Sequence, residues 1–290
     1  MHLMRTSQMP AAPYLSGAGC PLLRDSIVGF LDLLGFSHAA TANPSLPESQ
    51  QVLDKIVTAI ADSRKFVRES FPEHQIAKAD NWAIKFFSDN LSLGHPIDDK
   101  IADATTTAWF IIRCAQQYQL RMALNGYFLR GGLTVGPICL TDDIIFGSAL
   151  IECYKLESQV SIVPRVILSE SLVHLLMPPP STAHCLLSPE HRDAICRDVD
   201  GWWFVNYLDA AVKGNAINWG FVARHKESVL QSLTSTTRHD VLPKFGWACR
   251  YHNVFCHWHR DAAGYADQYR IARTDEQSTI YRLADSENRL

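Results

Sequence analysis

Asp32 stands in SIVGFLDLL (residues 26–34), a run that is otherwise uncharged and almost wholly apolar. An ionised carboxylate there costs several kcal/mol unless it is paired, binds a metal or reaches solvent at a strand end. Asp89 closes a second apolar run, FFSDN, where taken alone it reads as a turn aspartate. If the two runs are neighbouring strands, as a short crossover favours, both carboxylates converge at one end of a sheet. Such a pair is the usual oxygen cage for Mg²⁺ or Mn²⁺, which keep part of their coordination for substrate phosphates. Lys85 is an unusual charge in the same strand as Asp89, and alternation turns Lys85, Phe87 and Asp89 to one face. Four residues at ~3.3 Å each separate Lys85 from Asp89 by roughly 13 Å, about the length of a nucleoside triphosphate. A metal and a base contact can therefore share one strand.

Two further groups carry possible chemistry. Arg130 precedes Gly131-Gly132, and two readings stay open for it: a phosphate contact or a structural salt bridge. Cys249, His252, Cys256, His257 and His259 cluster near the C-terminus, with His252 and Cys256 four apart on a helical pattern. A zinc site would need a second group at ligand spacing, and Trp247, Phe255 and Trp258 interleave with the cluster. A packed aromatic and thiol core with satisfied histidines is the better account.

The elements that must position these residues follow from periodicity. Residues 26–34 suit a strand buried on both faces. Leu53, Ile56, Val57 and Ile60 recur at helical spacing within residues 47–71, and a second helical pattern fills 98–128, ending near Asn125-Gly126. Between them, residues 80–88 and 91–96 form a hairpin with Asp89 at its tip. Residues 129–140 read as a strand closely approached by other backbone, 147–157 as a helix and 164–169 as a strand. The expected fold is α+β, an antiparallel-rich sheet with helices gathered on one face, in the manner of a ferredoxin-like core. Residues 201–208 give one more strand, and a tail from Ala223 is mostly helical.

Composition excludes several classes. The 290 residues carry 27 Lys plus Arg against 30 Asp plus Glu, a net charge of −3, which leaves no global field for nucleic acid or an anionic membrane. The eight cysteines lack any CxxC pair and sit mostly in apolar segments, as buried thiols of a reducing compartment do. No signal-peptide core and no run near the roughly 20 apolar residues of a membrane span is present. A cytoplasmic protein is expected.

Taken in order, VGFLDLLGFS (28–37), KFFSDN (85–90), LRGGLTVGPI (129–138), DDIIFGSALIECYKLES (142–158) and PRVILS (164–169) resemble the class III nucleotidyl cyclases. Within these they look closest to the bacterial pyrimidine cyclases of the Pycsar antiphage systems, which make cyclic UMP or cyclic CMP. KFGWACRYHNVF (244–255) also looks like that branch. The resemblance implies an N-terminal extension (1–25), a catalytic core (26–178) and a C-terminal strand and helical extension (179–290). It implies two Mn²⁺ or Mg²⁺ ions held by Asp32, Asp89 and the Leu33 carbonyl, with Gly35, Phe36 and Ser37 offering amides to the phosphates. Lys85 would contact the base, and homodimeric sites would lie at the subunit interface. The product, cyclic UMP from UTP, would act on a separate effector protein. CTP is the near alternative, and a catalytically degenerate nucleotide-binding module is another.

The sequence also departs from that pattern. Adenylate and guanylate cyclases carry an asparagine and, four residues later, an arginine that steadies the transition state, where this chain has Ile151 and Lys155. Lysine supplies charge without the bidentate fork of arginine, so Lys155 is either catalytic or a solvated helix residue. Ile144 occupies the slot of the purine-reading aspartate, with Asp143 one position out of register. That loss fits a base other than adenine.

Overall fold

The structure, a computed structural model, describes residues 13–35, 45–71, 82–87, 90–177, 191, 193–235, 239–271 and 281–282. Its first half alternates as β1 (Arg24–Leu33), α1 (Leu46–Ser70), β2 (Ala83–Phe87), β3 (Asn90–Pro96), α2 (Ala104–Leu124) and β4 (Leu129–Leu140). The strands lie in the order β4-β1-β3-β2, the ferredoxin-like arrangement expected, with β1 antiparallel to both neighbours. A short β5 (Ile145–Phe146) pairs with the end of β4, and α3 (Ser148–Lys155) follows. β6 (Val166–Leu168) then joins β4 in parallel, the one parallel pairing among the described strands of this sheet.

Local chemistry sets the ends of these elements. Ser45 caps α1 by accepting from the Glu48 amide, and Pro47 occupies its first turn. The second long helix begins at Ala104 rather than near residue 98 because Asp103 accepts from the Thr106 amide at 2.8 Å.

The register divides the sheet into two chemically distinct faces. Ile27, Leu31 and Leu33 of β1 join Leu91 and Leu93 of β3 and Leu129 and Leu133 of β4 in the main core, against α1 and α2. The two long helices thus gather on one face, as expected. Val28 and Phe30 point the other way, where the shorter α3 packs through Ala149 and Cys153. Gly132 permits that approach, since a Cβ there would sit 2.7 Å from the Leu156 Cβ. Tyr14, fully buried, donates to Ser26 on the same face at 2.8 Å.

Beyond α4 (Glu170–Leu176), β7 (Ile195–Arg197), β8 (Trp203–Val205) and β11 (Tyr281–Arg282) extend the same sheet past β6. β9 (Val212–Lys213) and β10 (Ala216–Ile217) form a separate small hairpin. Two helices, α5 (Trp219–Ser235) and α6 (Leu242–Trp258), share a second core with the end of α2 and with β7 and β8. Buried Arg165 pairs with Asp198, which also accepts from the Trp247 indole, so the start of β6, the end of β7 and α6 are pinned by one polar knot.

Candidate active site

Asp32 is the last outward-facing residue of β1, on the sheet face that carries α3 rather than α1 and α2. In register it lies opposite Asn90 on one side and Arg130 on the other. The Arg130 Nε donates to Asp32 Oδ2 at 2.8 Å, and its Nη2 lies 2.6 Å from Glu157 Oε1. The three side chains are 13%, 23% and 5% exposed, so one guanidinium pairs with two largely buried carboxylates. Of the two open readings of Arg130, the structure shows the salt bridge, made to the carboxylate expected to bind metal.

The Glu157 carboxylate reaches this position from a π-helical turn, Leu156–Val160, that continues α3. Such turns recur at functional sites because they re-aim a side chain. Sequence reading passed over Glu157 as the end of a helix over 147–157. Its only signal was an acidic residue on the buried side of that helix, 27 positions after a partly buried arginine.

Lys85 lies on the same face as Asp32, since it pairs with Ser92, which in turn pairs with Phe30. Its ammonium donates to the Thr141 carbonyl at 3.3 Å and to the Asp142 carbonyl, which ties β2 to the turn between β4 and β5. That turn holds Asp143 and the half-exposed Ile144. Lys155 is exposed in the last turn of α3 and makes no ion pair among the described residues. Gly35 sits just past β1 in the left-handed region at φ 86°, where glycine is favoured. Leu33 is buried opposite Leu129. Asp89, Phe36 and Ser37 lie outside the described residues.

For a divalent ion, the two described members of the expected donor set are hard oxygens: the Asp32 carboxylate and the Leu33 carbonyl. No group of three or more His, Cys, Asp or Glu side chains gathers at metal-binding distance among the described residues. The Asp32 carboxylate is largely buried beside a guanidinium that it already pairs with.

The buried histidine of the C-terminal cluster is engaged in hydrogen bonds. His252 Nε2 faces the Tyr269 carbonyl at 2.8 Å and must carry a proton, so its Nδ1 accepts from His225 Nδ1 at 3.0 Å. His225 Nε2 then accepts from the Tyr207 hydroxyl at 2.8 Å. Both ring nitrogens of His225 and of His252 are thus hydrogen-bonded, and burial favours the neutral form of each. Cys249 and Cys256 are buried free thiols, as expected of a packed core.

No family model matches this sequence, and neither does any curated protein. Among solved structures, the chain is similar to the adenylyl cyclase CyaB from P. aeruginosa, at 15% identity and a TM-score of 0.46 over 63% of this chain and 94% of that one. It is also similar to a class III adenylyl cyclase-like ATP-binding protein from Pseudomonas aeruginosa, at 14% identity and a TM-score of 0.38 over 53% of this chain and 35% of that one. At those identities, what each of these proteins binds or does remains a property of that protein.

Proposed function

We propose that this chain is a pyrimidine nucleotide cyclase that converts UTP to 3′,5′-cyclic UMP and pyrophosphate. The observation that carries the reading is the placement of Asp32 at the end of β1, register-paired to Arg130 and to Asn90, with Lys85 on the same face. Asn90 follows Asp89 in the chain, so the sequence supplies a second carboxylate next to the residue opposite Asp32. Asp32, the Leu33 carbonyl and Asp89 would hold two Mn²⁺ or Mg²⁺ ions. Bound ions of this kind acidify a ribose 3′-hydroxyl and offset triphosphate charge.

The chain's own cations complete the assignment. Arg130, once Asp32 has another cationic partner, turns a guanidinium toward phosphate oxygens while Glu157 keeps its far end in place. Gly35, Phe36 and Ser37 offer backbone amides to the terminal phosphates, and Lys155 adds charge at the transferred phosphorus. Lys85 has three N–H donors and no acceptor, and two are spent on Thr141 and Asp142. The third suits the O4 carbonyl of uracil and meets only a donor in the cytosine amine, which favours UTP over the alternative CTP.

An exposed apolar surface supports the homodimer. Ile144, Phe146, Ile151 and Tyr154 are 46%, 64%, 58% and 55% exposed around β5 and α3. Following the family resemblance, the product serves as a second messenger in antiphage defence, read by a separate effector. Calorimetric titration of UTP with and without Mn²⁺ tests the site: Asp32→Ala abolishes the Mn²⁺-dependent part of binding, and unchanged Mn²⁺-dependent binding in that variant refutes the assignment.

A further inference from the structure

Behind the strand that carries Asp32, the core is not filled. A cavity of about 360 Å³ lies between the inner faces of α1 and α2 and the back of β1, β3 and β2. This is within the range of small-molecule sites, roughly 300–1,000 Å³. Leu31, Leu91 and Leu93 form its floor, and Phe110, Ala115 and Tyr118 of α2 form one wall. Close packing elsewhere in a core leaves few voids larger than a water, so an apolar chamber of this size is a feature to be explained.

Its mouth has a different chemistry. Arg64 and Arg68, one turn apart near the end of α1, line the cavity and are exposed. The Arg64 guanidinium is held 5.5 Å over the ring of Phe86. The nearby acidic residues of the same helix are engaged elsewhere, Asp62 with Arg121 and Glu69 with Lys65. Among the described residues neither arginine has a carboxylate partner. Opposite them, Ile84 and Phe86 of β2 are 42% and 37% exposed despite facing inward.

We propose that this cavity binds a single-tailed amphiphile with an anionic head, of the fatty carboxylate class. The tail lies along Leu31, Leu91 and Phe110, and the head meets Arg64 and Arg68 at the rim. A nucleobase is disfavoured because the wall offers almost no acceptors or paired donors, and a cationic head is excluded by the two guanidiniums. Sodium dodecanoate, titrated below its micelle concentration into the full chain by calorimetry, tests this without reference to any reaction at Asp32. Saturable one-to-one binding is expected, with dodecanol about tenfold weaker for lack of charge-assisted contacts. Arg64→Glu with Arg68→Glu, both at exposed positions, removes that tenfold preference. Ala115→Phe fills the chamber and abolishes binding of both. Absence of saturable binding, equal affinity for the two probes, or binding unaffected by the double arginine variant overturns the proposal. The arginine variant keeps the test decisive should Ala115→Phe fail to fold.

Discussion

Arg130 is held in an ion-pair triad with Asp32 and Glu157. The sequence places it before two glycines and leaves phosphate contact and salt bridge open; the register then brings it against Asp32, with Glu157 behind it. Removing the guanidinium leaves two carboxylates facing one another in a largely buried site. Arg130→Met should therefore lower unfolding stability by about 3 kcal/mol, and adding Glu157→Gln should restore part of it. Urea denaturation of the two variants checks this. Equal stability of Arg130→Met and wild type would mean the triad is not a structural unit. Asp32 was legible because a charge in an apolar strand demands a partner. Glu157 was not, because its burial depends on a π-helical turn that no periodicity reveals.

At the scale of elements, the first half of the fold was readable because its strands and helices have clear and different periods. β4 matches its expected limits of 129–140, and β1 begins two residues earlier than expected. α4, β7 and the hairpin of β9 and β10 were not anticipated, being too short for a pattern to declare itself. Of the C-terminal cluster, His252, Cys249 and Cys256 lie in the core as read, whereas His257 is exposed; the partner of His252 is His225, on another helix and beyond any local spacing rule. That pair joins α5 to α6, and burial holds both imidazoles below the ordinary histidine range, His252 at about 4. The unfolded chain binds these protons more readily, near pH 6.5, than the folded one. Stability is therefore unaffected by the pair above that pH and falls as pH drops from about 6.5 toward 4. Thermal unfolding across this window should show the drop, and His252→Gln, which can accept and donate in the same places, should flatten it. An identical pH profile in the variant would show that the pair does not set it.

For the whole molecule, one continuous sheet runs from the hairpin of β2 and β3 through β6 to β7, β8 and β11. The C-terminal helices add a second core on the end of α2, which no local pattern specified because it is built from residues far apart in the chain. The apolar patch around β5 and α3 was not anticipated either: Ile144 and Ile151 were read only as the slots of a base-reading aspartate and an asparagine, and the exposure of Phe146 and Tyr154 depends on how β5 and α3 pack. If it is the dimer surface, Phe146→Asp with Ile151→Asp should convert a dimer to a monomer in analytical ultracentrifugation while leaving thermal stability near wild type. A wild-type chain that sediments as a monomer at all concentrations would remove the dimer from the account.

The central claim is the reaction. Purified protein incubated with Mn²⁺ and each of the four ribonucleoside triphosphates separately, with products separated by chromatography and weighed by mass spectrometry, tests it most directly. The account predicts a cyclic monophosphate and pyrophosphate from UTP, lost in Asp32→Ala and Arg130→Met; a cyclic product from CTP instead would retain the mechanism and change the base. No cyclic product from any triphosphate, together with no Mn²⁺-dependent nucleotide binding, would contradict it.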